Sequence, residues 1–350
     1  MPRIVSAGLF RVIQLALFPL SAAGYITSVP GMLAYSRRTG TSATLFASLY
    51  TRWMQHRLGT RPDVPAARLM AALPNVSATG IQMETAPTLA AHLITGYVPR
   101  LYRYPYPGRA PMRHQPTART SLYDAAVQRH RGGIDQLVIL GAGFDTRAFR
   151  LAPGDRVRCF ELDLPRTQAF KLAMLEKAGL STRLATYVPA DLETEDWMEK
   201  LLAAGFDPNR PALFLWEAVT MYLDRASVEA TLRRIAGTAP GSIVAFDYFS
   251  RETITSGSPY MRYARATARF VGEPLTFGID NTPPARKSAA DFVGGFGLVL
   301  EEHRNFGKET RRRPAPGGFV TAVVPENKQR NPANRRDEGN HDKTQPRPRA

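Results

Sequence analysis

Cysteine is almost absent from this chain of 350 residues, and Cys159 is the only one. An intrachain disulfide is therefore excluded, as is a metal site built from several cysteines, and a reducing compartment fits. No metal is expected. Acidic residues are scarce in the first third: residues 1–131 hold 15 Arg and Lys against 3 acids. Residues 308–350 hold 11 against 5, whereas residues 132–307 hold 20 against 22. The formal charge of +16 thus sits in the flanks. A near-neutral centre argues against a cleft lined with cations for nucleic acid, and no nucleic-acid partner is expected. Internal repeats are also lacking.

Long apolar runs are few. Residues 12–29, "VIQLALFPLSAAGYITSV", are 18 without a charge, diluted by Gln14, Pro19, Ser21, Gly24 and Thr27. A membrane span needs about 20 apolar residues. Three readings stay open: a short anchor or interface-lying helix whose flanking Arg3, Arg11, Arg37 and Arg38 face anionic lipid, a signal peptide cleaved near Ser21-Ala22-Ala23, and an ordinary buried helix. Residues 41–59 show apolar positions at helical spacing (Leu45, Leu49, Trp53), with Arg52, His56 and Arg57 assigned to other faces, as in an amphipathic cap helix. Residues 96–116, "GYVPRLYRYPYPGRAPMRHQP", carry too many Pro and Gly for regular structure. They read as a substrate lid or as a plain connector. From Glu326 the chain is polar and basic, and disorder is expected.

The centre alternates. Apolar runs at 136–143, 156–163, 184–192, 212–219 and 242–249 are separated by helical patterns at 164–178, 197–204 and 227–238. That order predicts an α/β fold with a doubly wound, mostly parallel sheet. Runs at 297–304 and 318–324 have no helix between them, so they should form a terminal antiparallel hairpin at the sheet edge.

The first run ends in "LGAGFDTRAFRL". Gly141 and Gly143 stand where a strand ends and a helix should begin, which lets a ligand approach the backbone. A dinucleotide fingerprint needs a third glycine. Thr146 holds that place, and Asp145 precedes it. An acid here suits no pyrophosphate, but it is compatible with a ligand carrying an ammonium and a sulfonium, as S-adenosylmethionine does; as a bare N-cap it would also be ordinary. Glu161 and Asp163 follow the second run, where an acid accepts hydrogen bonds from ribose hydroxyls. Asp191 and Leu192 end the third, where a carboxylate and an apolar side chain can hold an adenine. Singly each acid could be a cap; together at successive strand ends they favour a nucleoside.

These segments resemble a known family. "ILGAGFDTRAFRL", "CFELDLPRTQAFK", "VPADL", "WEAVTMYL" and "PGSIVAFDYF" look like the leucine carboxyl methyltransferases and their bacterial relatives described as candidate polyketide O-methyltransferases. The resemblance covers about residues 119–324. It implies a class I, Rossmann-like methyltransferase fold with S-adenosyl-L-methionine as cofactor, preceded here by an N-terminal helical extension. By position it assigns Arg119 to the methionyl carboxylate, Gly141 and Gly143 to the cofactor turn and Asp163 to the ribose. Asp191 and Leu192 would flank the adenine, and Glu217 would lie near the methionyl ammonium. The domain expectation is an apolar segment at 1–36, a cap and Tyr/Arg/Pro loop at 37–118, the methyltransferase unit at 119–325 and a basic tail at 326–350.

The expected reaction is SN2 transfer of a methyl group to a carboxylate or acidic hydroxyl of a small apolar acceptor, such as a lipid or polyketide acid. A carboxylate needs no general base, only a clamp, for which Tyr222 and an Arg from residues 97–113 are the candidates. A phenol or enol needs a base, yet none of the six histidines falls in the five motifs; His114 and His130 are the nearest. Two rival classes remain: an NAD-dependent oxidoreductase, and a non-catalytic membrane-associated binding protein on a methyltransferase scaffold. A cytoplasmic protein is expected, with contact at the inner face of an anionic membrane left open, as is the oligomeric state.

Overall fold

A computed structural model of the chain describes residues 3–40, 44–74, 76–151, 154 and 156–326. The expected disordered tail therefore lies outside the described residues, apart from Glu326. Helices lead: α1 (Arg3–Ala16), α2 (Phe18–Thr39), α3 (Thr44–Arg57), α4 (Val64–Ala72), α5 (Ala78–Thr95) and α6 (Gln115–His130). Strands β1 (Gln136–Leu140) and β2 (Arg158–Asp163), helix α7 (Pro165–Lys177), β3 (Thr186–Pro189), α8 (Trp197–Ala203), β4 (Ala212–Trp216), α9 (Arg225–Ala236) and β5 (Ile243–Phe249) then alternate. Three further helices, α10 (Arg251–Thr255), α11 (Pro259–Phe270) and α12 (Ala285–Gly294), precede β6 (Val299–Phe306) and β7 (Gly317–Val323).

The sheet runs in the order β3-β2-β1-β4-β5-β7-β6. The first five strands in the chain pair in parallel, and β7 is antiparallel to both β5 and β6. The class I outline and its terminal hairpin are thus as expected, with β6 as the edge. Strand side chains alternate between faces. Val138, Leu140, Phe160, Leu162, Phe214 and Trp216 pack under α8, α9 and α12, while Leu137, Ile139, Cys159, Leu213 and Leu215 pack under α6. Burial on both faces is why these strands read as unbroken apolar runs. The order reverses beside β1, between β2 and β4, and this opens a crevice at the strands' carboxyl ends.

Three expectations need correction. Among the described residues no α-helix follows the glycine turn; a single 3-10 segment, Arg147–Arg150, does. The apolar stretch at 12–29 is not one helix, because the chain bends by 60° between α1 and α2, and α2 runs on past residue 36 to Thr39. Among the described residues, no single helix is long and apolar enough to cross a membrane. Finally, α6 and α10 to α12 are absent from the sequence expectations, and α4 and α5 enter them only as an unspecified part of the helical cap at 37–118.

Candidate active site

The crevice holds a cavity of about 380 Å3. Gly141, Gly143, Asp163, Asp191, Leu192, Glu217 and Tyr222 all line it, so the fold brings together every expected site residue except Arg119. Gly141 has φ +63° and Gly143 φ +46°, both in the left-handed region that glycine adopts without cost. A Cβ at Gly141 would overlap Val219, and one at Gly143 would overlap Leu45 of α3. The turn is thus clamped between the segment after β4 and the helical cap.

Asp163 closes the turn from the end of β2. Its Oδ2 accepts the Gly143 N–H at 2.6 Å and its Oδ1 the Leu164 N–H at 2.8 Å. Each oxygen keeps a lone pair for a ligand hydroxyl. Burial pushes this carboxyl up to about 6, against the two backbone bonds that favour the anion. Asp191 accepts the Glu193 N–H at 2.9 Å and the Thr194 hydroxyl at 2.9 Å, so it also shapes its own turn. Leu192 is buried beside it.

Beneath the cavity lies a charge network that sequence patterns do not announce. Arg52 Nη2 donates to Asp145 Oδ2 at 2.9 Å and to Glu217 Oε2 at 3.0 Å. Arg147 Nη1 donates to the same two oxygens at 2.5 and 2.6 Å, and its Nε donates to Asp124 Oδ1 at 2.9 Å. Arg61 pairs with Asp124 and Asp63, and the Thr146 hydroxyl caps Asp63 at 2.8 Å. Three guanidiniums thus face four carboxylates, a formal balance of −1. Burial alone would push Asp145 and Glu217 up; the charges of Arg147 and Arg52 outweigh it and hold both below the usual carboxylate range.

The network revises several expectations. Asp145 has both oxygens engaged, Oδ2 by two arginines and Oδ1 by the Arg147 N–H, whereas the same arginines engage only Oε2 of Glu217, so Glu217 is the better partner for a ligand ammonium. Glu161 is fully buried and paired with Lys171 of α7, away from the cavity lining. Arg119 does not line the cavity; it donates to Asp247 Oδ2 at 3.3 Å, close enough to Glu217 to help hold its charge. Arg52 is the lining guanidinium instead, and it is 1% exposed. Arg52 thus shares the cavity-facing side of α3 with Leu45 and does not stand on another face, where the sequence pattern puts it; its polar character hid it among surface positions.

The Tyr/Arg/Pro loop contributes nothing to this lining. Tyr104 donates to Asp124 at 3.0 Å at the rear of the network, and Leu101, Tyr102 and Arg113 line a separate apolar chamber beyond α3. An Arg clamp from residues 97–113 is therefore not in place. The cavity end beside Tyr222 is formed by Leu223, Asp224, Gly272, Glu273, Pro274 and Thr276, with no basic side chain. Among the described residues of the lining, seven acids (Asp145, Asp163, Asp191, Glu193, Glu217, Asp224, Glu273) face one base, Arg52.

Comparison with known proteins identifies the family. The family model described as leucine carboxyl methyltransferase matches residues 104–236, which include Arg119, the glycine turn, Asp163, Asp191, Glu217 and Tyr222. A protein of Mycobacteroides abscessus, named as a candidate S-adenosyl-L-methionine-dependent methyltransferase, is 40% identical over 152 residues, 41% of this chain and 48% of its own length. A protein of Mycobacterium marinum with the same description is 32% identical over 225 residues, 59% of this chain and 70% of its own. Another, of Mycolicibacterium paratuberculosis, is 29% identical over 270 residues, 75% and 83% of the two chains. The chain spans about half the length of several relatives it matches. With the Mycobacterium marinum protein matched over most of its length and the family model over the site itself, the chain belongs to the family of leucine carboxyl methyltransferases and their bacterial relatives.

Proposed function

We propose that this protein is an S-adenosyl-L-methionine-dependent O-methyltransferase. One observation carries the reading: a cavity at the switch point of a class I sheet, with seven acids and one base in its wall. The cofactor carries a sulfonium, an ammonium and a carboxylate, a net charge of +1, and such a wall complements it. The same wall repels a pyrophosphate, so the nicotinamide alternative is not favoured. Asp163 takes the ribose hydroxyls, Asp191 and Leu192 the adenine, Glu217 the ammonium and Arg52 the carboxylate. Arg119 supports Glu217 from behind.

The donor supplies the reactivity, since its positive sulfur makes the methyl carbon electrophilic. What the protein adds is alignment of the acceptor oxygen with the S–CH3 bond and exclusion of water. At the Tyr222 end, two acids and no base favour a neutral hydroxyl over a carboxylate acceptor. Burial, with the charge of Glu273, pushes the Tyr222 phenol well above its usual range. Tyr222 therefore stays protonated and donates a hydrogen bond that positions the acceptor oxygen. Glu273, which lines this end, receives the acceptor proton in this reading. The O–CH3 bond forms as the S–CH3 bond breaks, its electron pair passes to sulfur, and the proton leaves to Glu273.

Calorimetry with S-adenosylhomocysteine and with NAD tests the cofactor: binding of the first and not the second is expected, and the reverse would sink the reading. Methyl-labelled donor offered to lipid and aqueous cell extracts tests the acceptor, and label should appear as a base-stable ether. A base-labile methyl ester as the product would overturn the hydroxyl assignment.

A further inference from the structure

Nine of the nineteen large apolar side chains that stand exposed among the described residues fall between Ile4 and Ile26. Ile4 and Leu15 are 88% and 75% exposed on α1, Phe18 is 64% exposed at the bend, and Ile26 is 68% exposed on α2. Soluble surfaces scatter such residues singly, so this clustering needs a reason. The opposite faces of both helices are committed to the protein. Phe10 is buried against the ring of Tyr97, just past α5, while against α5 itself Gly24 is buried, Gln14 donates to Thr88 at 2.8 Å, and the Ser21 hydroxyl donates to the Glu84 carbonyl at 2.9 Å.

The patch continues onto α11. The Tyr25 and Tyr263 hydroxyls are 3.1 Å apart and hydrogen-bonded, and the Arg37 guanidinium lies 4.8 Å from the Phe270 ring centre. Tyr260, Tyr263 and Phe270 are themselves exposed. No acid occurs in residues 1–62 or 253–272, while Arg11, Arg37, Arg38, Arg262 and Arg269 are exposed there. Apolar side chains among cations, on stretches that carry no carboxylate of their own, complement a bilayer with anionic headgroups.

We infer that α1, the α1–α2 bend and α11 form a surface that lies in the plane of an anionic lipid bilayer. This goes beyond the methyltransferase reading and does not depend on it. The helices lie on the bilayer and do not span it: the 60° bend and the α5 contacts hold one face of each helix on the protein. Helix α11 runs directly into Gly272, Glu273 and Pro274 of the cavity wall, so an apolar acceptor dissolved in the lipid would meet the cavity at that edge.

The test is co-sedimentation of the full chain with vesicles of phosphatidylcholine alone and of phosphatidylcholine with phosphatidylglycerol. Binding to the anionic vesicles, weakened by salt, is expected, and the doubly substituted Leu15→Glu/Phe18→Glu protein should lose at least tenfold in partitioning. Both positions are exposed, so S-adenosylhomocysteine binding and the thermal midpoint should be unchanged, and Leu202→Glu, at an exposed site on α8, should bind vesicles as the parent does. Two results would overturn the inference. One is vesicle binding that is absent, or equal in the parent and the double variant. The other is a parent that sizes as a dimer and a double variant that sizes as a monomer, which would make the patch a contact between copies.

Discussion

The cavity floor and the N-terminal surface use charge in opposite ways. At the floor, three arginines and four acids are nearly solvent-free and pair with one another, with Arg52 Nε, Arg61 Nη2 and Arg147 Nη2 left without a partner. At the surface, arginines stand in water beside exposed Ile, Leu and Phe. The two regions share one stock of acids: of the three in residues 1–131, Asp63 and Asp124 are spent inside the network and Glu84 sits against Tyr50. Nothing acidic is left for the outer face. The lesson is that the overall +12 of this region is not a property of its surface composition alone, because burial sorted the signs.

The comparison can be broken most forcefully at Arg147. Arg147→Ala leaves Asp145, Glu217 and Asp124 buried beside a missing partner, and a loss of about 3–5 kcal/mol in stability is expected from denaturant unfolding. A loss below about 1 kcal/mol would mean that water, and not the protein, satisfies the network.

Gly141→Ala should come next. A side chain at φ +63° costs about 1–2 kcal/mol even before the overlap with Val219. Both the thermal midpoint and S-adenosylhomocysteine affinity should fall.

Asp163→Ala should weaken S-adenosylhomocysteine by about 1–3 kcal/mol, measured by calorimetry, since it strips ribose hydroxyls of their acceptor. Asp191→Ala should weaken it too. Unchanged affinity in a folded Asp163 variant would remove the residue from the site.

A pH series sharpens the same point. The free Asp163 carboxyl titrates near 6, and ribose hydroxyls bond its ionised form. Binding below that pH must therefore expel a proton, so affinity should rise with pH up to about 6 and then level off. The slope below 6 should be as much as about tenfold per pH unit. Asp163→Asn should flatten it; an unaltered slope would assign the titration elsewhere. The smallest effect belongs to the other region, where Leu15→Glu should change stability by no more than about 0.5 kcal/mol because the side chain touches little.

Much of the fold was legible because parallel strands covered on both faces must be apolar throughout. The runs at 136–143 and 212–219 could hardly be anything else. The glycines and the acids at strand ends were legible for a related reason, since their places follow from where strands stop. Arg52 and Arg147 were not, because a buried arginine looks like a surface one until its carboxylates arrive from 93 and 165 residues away, or from 23 and 70. The role of the Tyr/Arg/Pro loop was left open between lid and connector for the same reason: its composition suits either, and only the fold shows Tyr104 against Asp124 behind the site.

The sequence by itself therefore determined the sheet, the glycine turn and the acids around it, since each depends on local periodicity or on a strand's end. Tertiary structure alone decided which guanidinium lines the cavity and which stands behind it. It also decided that the loop stays away from the cavity and that one face of α1 and α2 is left bare. Those outcomes rest on which distant groups meet and exclude water from one another, and no spacing along the chain encodes that.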